Sequence, residues 1–411
     1  MVTNYFRSHY WLGVFLLLPV SVNADEFAEF EKQMMQQSSQ QQVEFEKFEG
    51  SMDAEYKQYE KELKQAFVSF RRAAARIWGK DKAVIPDDKT MVDYSNDMRQ
   101  RSVVDLERGK IKVEVAVDPS KGETVEDARQ RLKKLIAKTL TAPADTRPIT
   151  ELVKKPEPPK PSKNKPAALA NQVQDNKGRT VTKSNVDEFA NSVMQGTRVS
   201  KTQGTDKVAR TVVSVEIPLV PDHIKKRAVR YQTDVERYAN KYHVDKEVVF
   251  AVMETESFFN PTAKSAIPAF GLMQLVPHSG ARDAYRFVYK KDKIVSERYL
   301  YKPQNNIELG TAYLRQVYST YLSNIDNEES RMWATIAAYN TGAGNVFRTF
   351  AGKYSQTKYG SRKAWKAKAA KKINSMTPEQ VFRYMKKNLP YQETQNYIVK
   401  VRERMPKYQR L

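Results

Sequence analysis

In RTVVSVEIPLVPDHIKKRAVRY, Arg210 to Tyr231, the hydrophobic period changes at Pro221. Up to Val220 the run is rich in valine and isoleucine and reads as the best strand of the chain. After the proline, apolar residues recur every three or four positions, as on a helix. That change divides the 411 residues into two unlike parts. Residues 221–411 read almost entirely as helices separated by glycine and proline, within the size of one domain. The chain upstream mixes both periods.

Upstream, residues 25–79 form an amphipathic helical segment. Phe45, Phe48, Met52, Tyr56, Tyr59, Leu63, Phe67 and Phe70 step by threes and fours. An aromatic stripe suits packing on the chain's own domain or a partner better than a coiled-coil seam, which favours aliphatic residues. RSVVDLERGKIKVEVAVD (Arg101–Asp118) reads as a hairpin turning at Arg108-Gly109, with Arg210–Val220 able to join its sheet. Glu123–Leu140 and Val186–Met194 read as helices. KKPEPPKPSKNKP (Lys154–Pro166) reads as an exposed linker, the start of a Pro/Lys-rich insert at about 154–175. The expected fold class is an α+β N-terminal domain, residues 80–220, followed by a mainly α domain.

Export is expected from the first residues. Arg7 is the only charge before WLGVFLLLPV, and small residues at Val22 and Ala24 mark a signal peptide over 1–24. An uncleaved anchor is the alternative reading. The chain has no cysteine, which excludes disulfides, thiolate metal sites and a lipid-modified cysteine. A periplasmic location, free or at the outer membrane but not as a lipoprotein, fits these features. The net charge of +22 calls for an anionic partner. For an exported chain that is wall polymer or the membrane surface rather than nucleic acid. A membrane-surface or cell-wall protein partner bound through the N-terminal region is the second expectation. No metal or other cofactor is expected, since His223, His243 and His278 are widely spaced.

FAVMETESFFNP, Phe250 to Pro261, places two glutamates two residues apart on an apolar helix, about 200° apart in rotation. Glu256 falls in line with Val249, Val252 and Met253, so it is expected to be buried and Glu254 to be solvated. The helix is expected to end at Asn260-Pro261. Burial raises a carboxyl pKa and suits it to general-acid chemistry, although a buried glutamate is more often structural. AFGLMQLVPHSGA (Ala269–Ala281) and AAYNTGAGNV (Ala337–Val346) supply the aromatic, amide and glycine residues that a sugar groove needs.

These motifs carry a resemblance. ETESFFNPTAKSAIPAFGLMQLVP resembles the glutamate-serine and Gly-Leu-Met-Gln motifs of the family 1 lytic transglycosylases. AYNTGAGNV, KPQNNIELGTAYL and QETQNYIVKV resemble later motifs of that family, in the same order. The resemblance covers residues 228–411 and implies a lysozyme-like catalytic domain. The upstream region is similar to that of membrane-bound members, which are lipoproteins. The missing cysteine and the Pro/Lys-rich insert depart from them.

The resemblance implies that the chain cleaves peptidoglycan glycan strands without water and forms a 1,6-anhydromuramoyl end. Glu256 would be the sole catalytic acid and base. Ser257, Met273, Gln274, Tyr339, Asn340, Glu393 and Tyr397 would bind or position the substrate. Singly, Ser257, Met273 and Tyr397 also suit capping or packing. A lysozyme-like hydrolase is the rival. It needs a second carboxylate, for which Asp283 is the nearest in sequence. A non-catalytic murein-binding protein is the third reading. The basic run Arg362–Lys372 reads as a solvated helix face, or as a holder of anionic stems or phosphates.

Overall fold

A computed structural model describes residues 56–158, 166–265 and 268–411. It divides into two units, Met1–Gln58 and Tyr59–Leu411. Of the first unit, residues 56–58 are described, and they are helical. The proposed signal and the stripe positions Phe45, Phe48 and Met52 lie outside the described residues.

The second unit opens with helix α1 (residues 59–78 of it) and a five-stranded antiparallel sheet. The strands are β1 (Thr90–Tyr94), β2 (Gln100–Asp105), β3 (Lys110–Ala116), β4 (Arg198–Gln203) and β5 (Ala209–Pro218), in the order β1-β2-β3-β5-β4. The β2–β3 hairpin turns at Gly109 (φ 67°), and β5 pairs with β3, both as expected from alternation. The edge strands β1 and β4 were not expected. Both are short; β1 buries Val92 and Tyr94, β4 is polar and largely exposed, and pairing with their neighbours holds them extended.

Ile111, Val113 and Val115 of β3 and Val213, Val215 and Ile217 of β5 share one face of the sheet. Helices α2 (Val125–Thr141) and α4 (Val186–Val193) cover that face; α3 (Ile149–Leu152) lies between them in sequence. Thr124 starts α2 with a capping box closed by Asp127. The other face carries a buried ion pair, Arg101 to Glu114 at 2.6 Å, with the Arg101 guanidinium 3.9 Å from the Trp78 ring centroid of α1. The insert, taken to about residue 175, is too long, because its last residues beyond the expected linker Lys154–Pro166 are part of the fold. Leu169, Gln172 and Val173 are buried, the two apolar side chains in the core under α2 and α4.

The helices that follow are α5 (His223–Val229), α6 (Gln232–Tyr242), α7 (Lys246–Ser257), α8 (Gly280–Tyr289), α9 (Glu297–Leu300), α10 (Pro303–Gln316) and α11 (Glu328–Thr341). Then come α12 (Ala343–Ala351), α13 (Gln356–Tyr359), α14 (Arg362–Asn374), α15 (Pro378–Asn388) and α16 (Gln392–Arg404). Helix α7 is buried on every side from Val248 to Glu254, so it is the central helix around which the others pack. The sheet and the helical region also share core. Ala116, Val212, Ile149 and Leu152 belong to the same apolar cluster as α7 and α11. No described helix is long and apolar enough to cross a membrane.

Candidate active site

Helix α7 stops at Ser257, earlier than the proline predicts. Phe258 and Phe259 both take left-handed conformations (φ 48° and 60°) that bulky residues rarely adopt. Their burial sites account for the turn. Phe258 packs into the core beneath the sheet, and Phe259 into the helical core. The chain is pulled two ways before Pro261 is reached. The end of the helix that carries both glutamates is thus pinned between the sheet and the helices.

The two acids are not divided as periodicity predicts. Glu254 is 1% exposed and is not solvated. It pairs with Arg404 (3.2 Å) and Lys407 (2.9 Å) and accepts a 2.5 Å hydrogen bond from Tyr408. The turn Met405–Tyr408 lies over that side of α7, with Tyr408 stacked on Phe250. Glu256 keeps partial access to solvent, yet protein surrounds its carboxyl. Desolvation is the largest influence and pushes its pKa up to about 8. The Tyr397 hydroxyl donates to Glu256 Oε1 at 2.7 Å and opposes that rise, while Asp88 and Glu393 add to it by repulsion.

The Gly-Leu-Met-Gln turn is built around Asn306 of α10. Its amide donates to the carbonyls of Phe270 (2.8 Å) and Leu300 (2.9 Å) and accepts from Met273 N–H (2.8 Å). Gly271 (φ 76°) admits that close approach, since a Cβ there would stand 2.4 Å from Asn306 Nδ2. Gln274 then sits in the left-handed region (φ 45°), partly exposed, with its amide nitrogen on Gly271 O (3.0 Å). The Tyr339 hydroxyl donates to Met273 O at 2.7 Å, which ties α11 to the turn. Asn340 Oδ1 accepts from Thr394 of α16 at 2.7 Å. Its amide nitrogen has no partner among the described residues.

Three of the expected substrate contacts, Ser257, Met273 and Tyr397, are buried. Ser257 is fully buried and donates to Leu272 O (2.7 Å) and Met253 O (3.1 Å), so it joins α7 to the turn. Met273 is fully buried against Gly310, and only its backbone serves the site. Glu393 is exposed, one turn before Tyr397 on α16. Gln274, Tyr339 and Asn340 are partly exposed, whereas Tyr397 is buried and faces Glu256. Asp283 accepts from Tyr321 (3.0 Å) and is not among the charges acting on Glu256.

The carboxylate that sequence reading missed is Asp88. It lies on a loop before β1, closed by Asp87, whose carboxylate accepts from Lys89 N (2.8 Å) and Thr90 N (2.7 Å). Lys89 places its ammonium 5.4 Å from the Phe258 ring centroid, two residues past Glu256. The sheet region thus contributes a charge to a site otherwise built on helices.

Residues 234–361 match the transglycosylase SLT domain, and residues 56–230 match the N-terminal domain of membrane-bound lytic murein transglycosylase C. Membrane-bound lytic murein transglycosylase C of Klebsiella pneumoniae subsp. pneumoniae is 36% identical over 342 residues, which is 83% of this chain and 88% of its own length. The protein of that name from Edwardsiella ictaluri is 35% identical over 344 residues, with the same shares. Among solved structures, the 70 kDa soluble lytic transglycosylase SLT70 from Escherichia coli is similar over 44% of this chain and 24% of its own, at 25% identity and a TM-score of 0.32.

Proposed function

From the chain's membership of the membrane-bound lytic murein transglycosylase C family, we propose a mechanism in which Glu256 alone moves the proton. The enzyme is a peptidoglycan lytic transglycosylase of cell-wall remodelling. The observation that carries the mechanism is the Glu256 carboxyl, held at 2.7 Å by Tyr397 with its pKa raised to about 8. At neutral pH it is protonated, as a general acid must be.

Glu256 gives its proton to the glycosidic oxygen between N-acetylmuramic acid and N-acetylglucosamine. The bond from that oxygen to the muramoyl C1 breaks, and N-acetylglucosamine leaves as an alcohol. The acetamido oxygen of the substrate shares the positive charge left at C1. Glu256, now a carboxylate, takes the proton of the C6 hydroxyl, whose oxygen attacks C1 and closes the anhydro ring. The acid is restored and no water is consumed, so no second carboxylate is needed to place one. Asp88 and Glu393 favour the positive charge while it lasts. Gln274, Tyr339 and Asn340 line the groove and orient the sugar, while Ser257, Met273 and Asn306 hold the turn in place.

Product analysis tests this reading. Murein digested by the enzyme yields anhydro muropeptides by mass. Reducing ends in their place would transfer the site to the hydrolase. The alkaline limb of kcat/KM falls near pH 8, because only protonated Glu256 starts the reaction. Asp88→Asn moves that limb down by about half a pH unit, since it removes a like charge. Tyr397→Phe moves it up by a similar amount and lowers kcat about tenfold, since the carboxyl loses the bond that orients it. Limbs that stay in place in both variants would remove these two residues from the electrostatics of Glu256.

Relatives named as membrane-bound place the family in the cell envelope. We assign this chain to the periplasm, reached through the signal at 1–24, with the N-terminal region facing the membrane surface or a wall protein. Fractionation by osmotic shock checks the first point, and retention in the cytoplasm would overturn it.

A further inference from the structure

Between Glu329 and Glu379 the chain has no acidic residue and ten lysines or arginines. Most of them fold into one lobe formed by α12, α13 and α14. Trp365, Ala369 and Ile373 of α14 are buried with Phe347 and Phe350 of α12, which fixes the lobe as part of the helical core. Lys358, Arg362, Lys363, Lys366, Lys368 and Lys371 are exposed on it, and none has an ion pair among the described residues. Cations elsewhere do find carboxylates, as Arg282 does with Asp292 and Lys241 with Glu308.

Aromatic rings hold several of these side chains without neutralising them. Arg362 lies 4.9 Å from the Tyr354 ring, Lys358 and Lys368 lie 5.3 and 5.5 Å from Tyr359, and Tyr354 stacks on Tyr359. Crowded like charges repel, and a polyanion relieves that repulsion. The lobe starts where the groove wall ends. Tyr339 and Asn340 close α11, Gly342 (φ 83°) makes the joint, and α12 begins at Ala343.

We propose that the lobe grips the carboxylate-bearing peptide stems of the murein strand whose glycan occupies the groove, an inference that rests on the proposed function. Two observations favour stems over lipid headgroups. Lys363, Lys366, Lys368 and Lys371 are spread over about 200° of the α14 circumference, so they do not form one flat face. None of the exposed large apolar side chains among the described residues lies in the lobe, so nothing there would insert into a bilayer. Stems that project around a glycan axis meet cations from several directions.

The test uses murein strands carrying stems, the same strands stripped of stems by an amidase, and phosphatidylglycerol vesicles. Binding is measured in the full chain with Glu256→Gln, so that no strand is consumed, with and without Lys363→Gln, Lys366→Gln, Lys368→Gln and Lys371→Gln together. All four positions are exposed, and thermal unfolding verifies that the fold is kept. The expected result is a loss of about tenfold in affinity for stem-bearing strands at low salt, no change on stripped strands, and no difference at high salt. Equal affinities on stem-bearing strands, or an equal loss on both strands, would overturn the proposal. So would a loss confined to vesicles. Cleavage by the chain with Glu256 intact is scored separately. If anhydro ends never form but the stem-dependent binding does, the catalytic reading fails and the lobe stands.

Discussion

Glu256→Gln lowers the rate of murein cleavage by about a thousandfold or more, with little change in strand binding. Both proton transfers of the proposed cycle pass through this one carboxyl, so its loss is not covered by a neighbour. The amide still accepts the Tyr397 hydroxyl, so the groove keeps its shape. Stability should move the other way. The folded pKa of about 8 lies above the ordinary value of 4.5, so the native state binds the proton more tightly. Stability from this group is therefore present below the unfolded pKa and is lost as pH rises through the folded one. Each tenfold difference in proton affinity between the two states is worth about 1.4 kcal/mol. Because Glu256 is partly open to solvent, a gain of about 2 kcal/mol for Glu256→Gln at pH 8.5 is the expected scale. Urea unfolding at pH 5 and pH 8.5 measures it. A margin that is the same at both pH values would mean that the carboxyl is not raised in the fold.

The two glutamates also show how far a sequence can be read. Periodicity gave their relative angle on α7 correctly, but an angle does not say what covers it. The cover over Glu254 comes from Arg404, Lys407 and Tyr408, about 150 residues downstream in the chain. A helix buried on all sides has no solvent face for the pattern to reveal. The same limit explains the strands. β2, β3 and β5 alternate and were legible, whereas TMVDY and RVSKTQ are strands only because a neighbour pairs with them.

Of the motif residues, Gln274 and Tyr339 bond the Gly-Leu-Met-Gln turn, Tyr397 bonds the Glu256 carboxyl, and Asn340 bonds Thr394 of α16. Ser257 and Met273 belong to the same motifs for another reason, since they hold the backbone that the others stand on. Asp88 had no local signal. Its chemistry arises from a loop of the sheet region whose Lys89 rests beside Phe258, far along the chain. Leu169 and Val173 stand in AALANQVQD, just past the Pro/Lys-rich run that ends at Pro166, so an insert extended to about 175 takes in residues that reach a core.

Glu254→Ala is expected to destabilise the fold by about 3–5 kcal/mol, the range for breaking a buried pair by removing one partner. Arg404, at 12% side-chain exposure, would keep its charge with no carboxylate opposite. Its Nη1 already lacks a partner among the described residues, so the guanidinium has little left to satisfy it. The Tyr408 hydroxyl would be stranded as well. Lys407 is half exposed and swings into water at small cost. Cleavage at low temperature should persist, because the carboxyl that moves the proton is still present, and activity should fail on warming. Thermal unfolding followed beside activity separates this variant from Glu256→Gln, which is inactive and stable. Glu254→Leu combined with Arg404→Met removes both charges, and most of the stability should return. If the double variant is no more stable than Glu254→Ala, the loss lies in the packing of the Met405–Tyr408 turn on Phe250 and not in an orphaned charge.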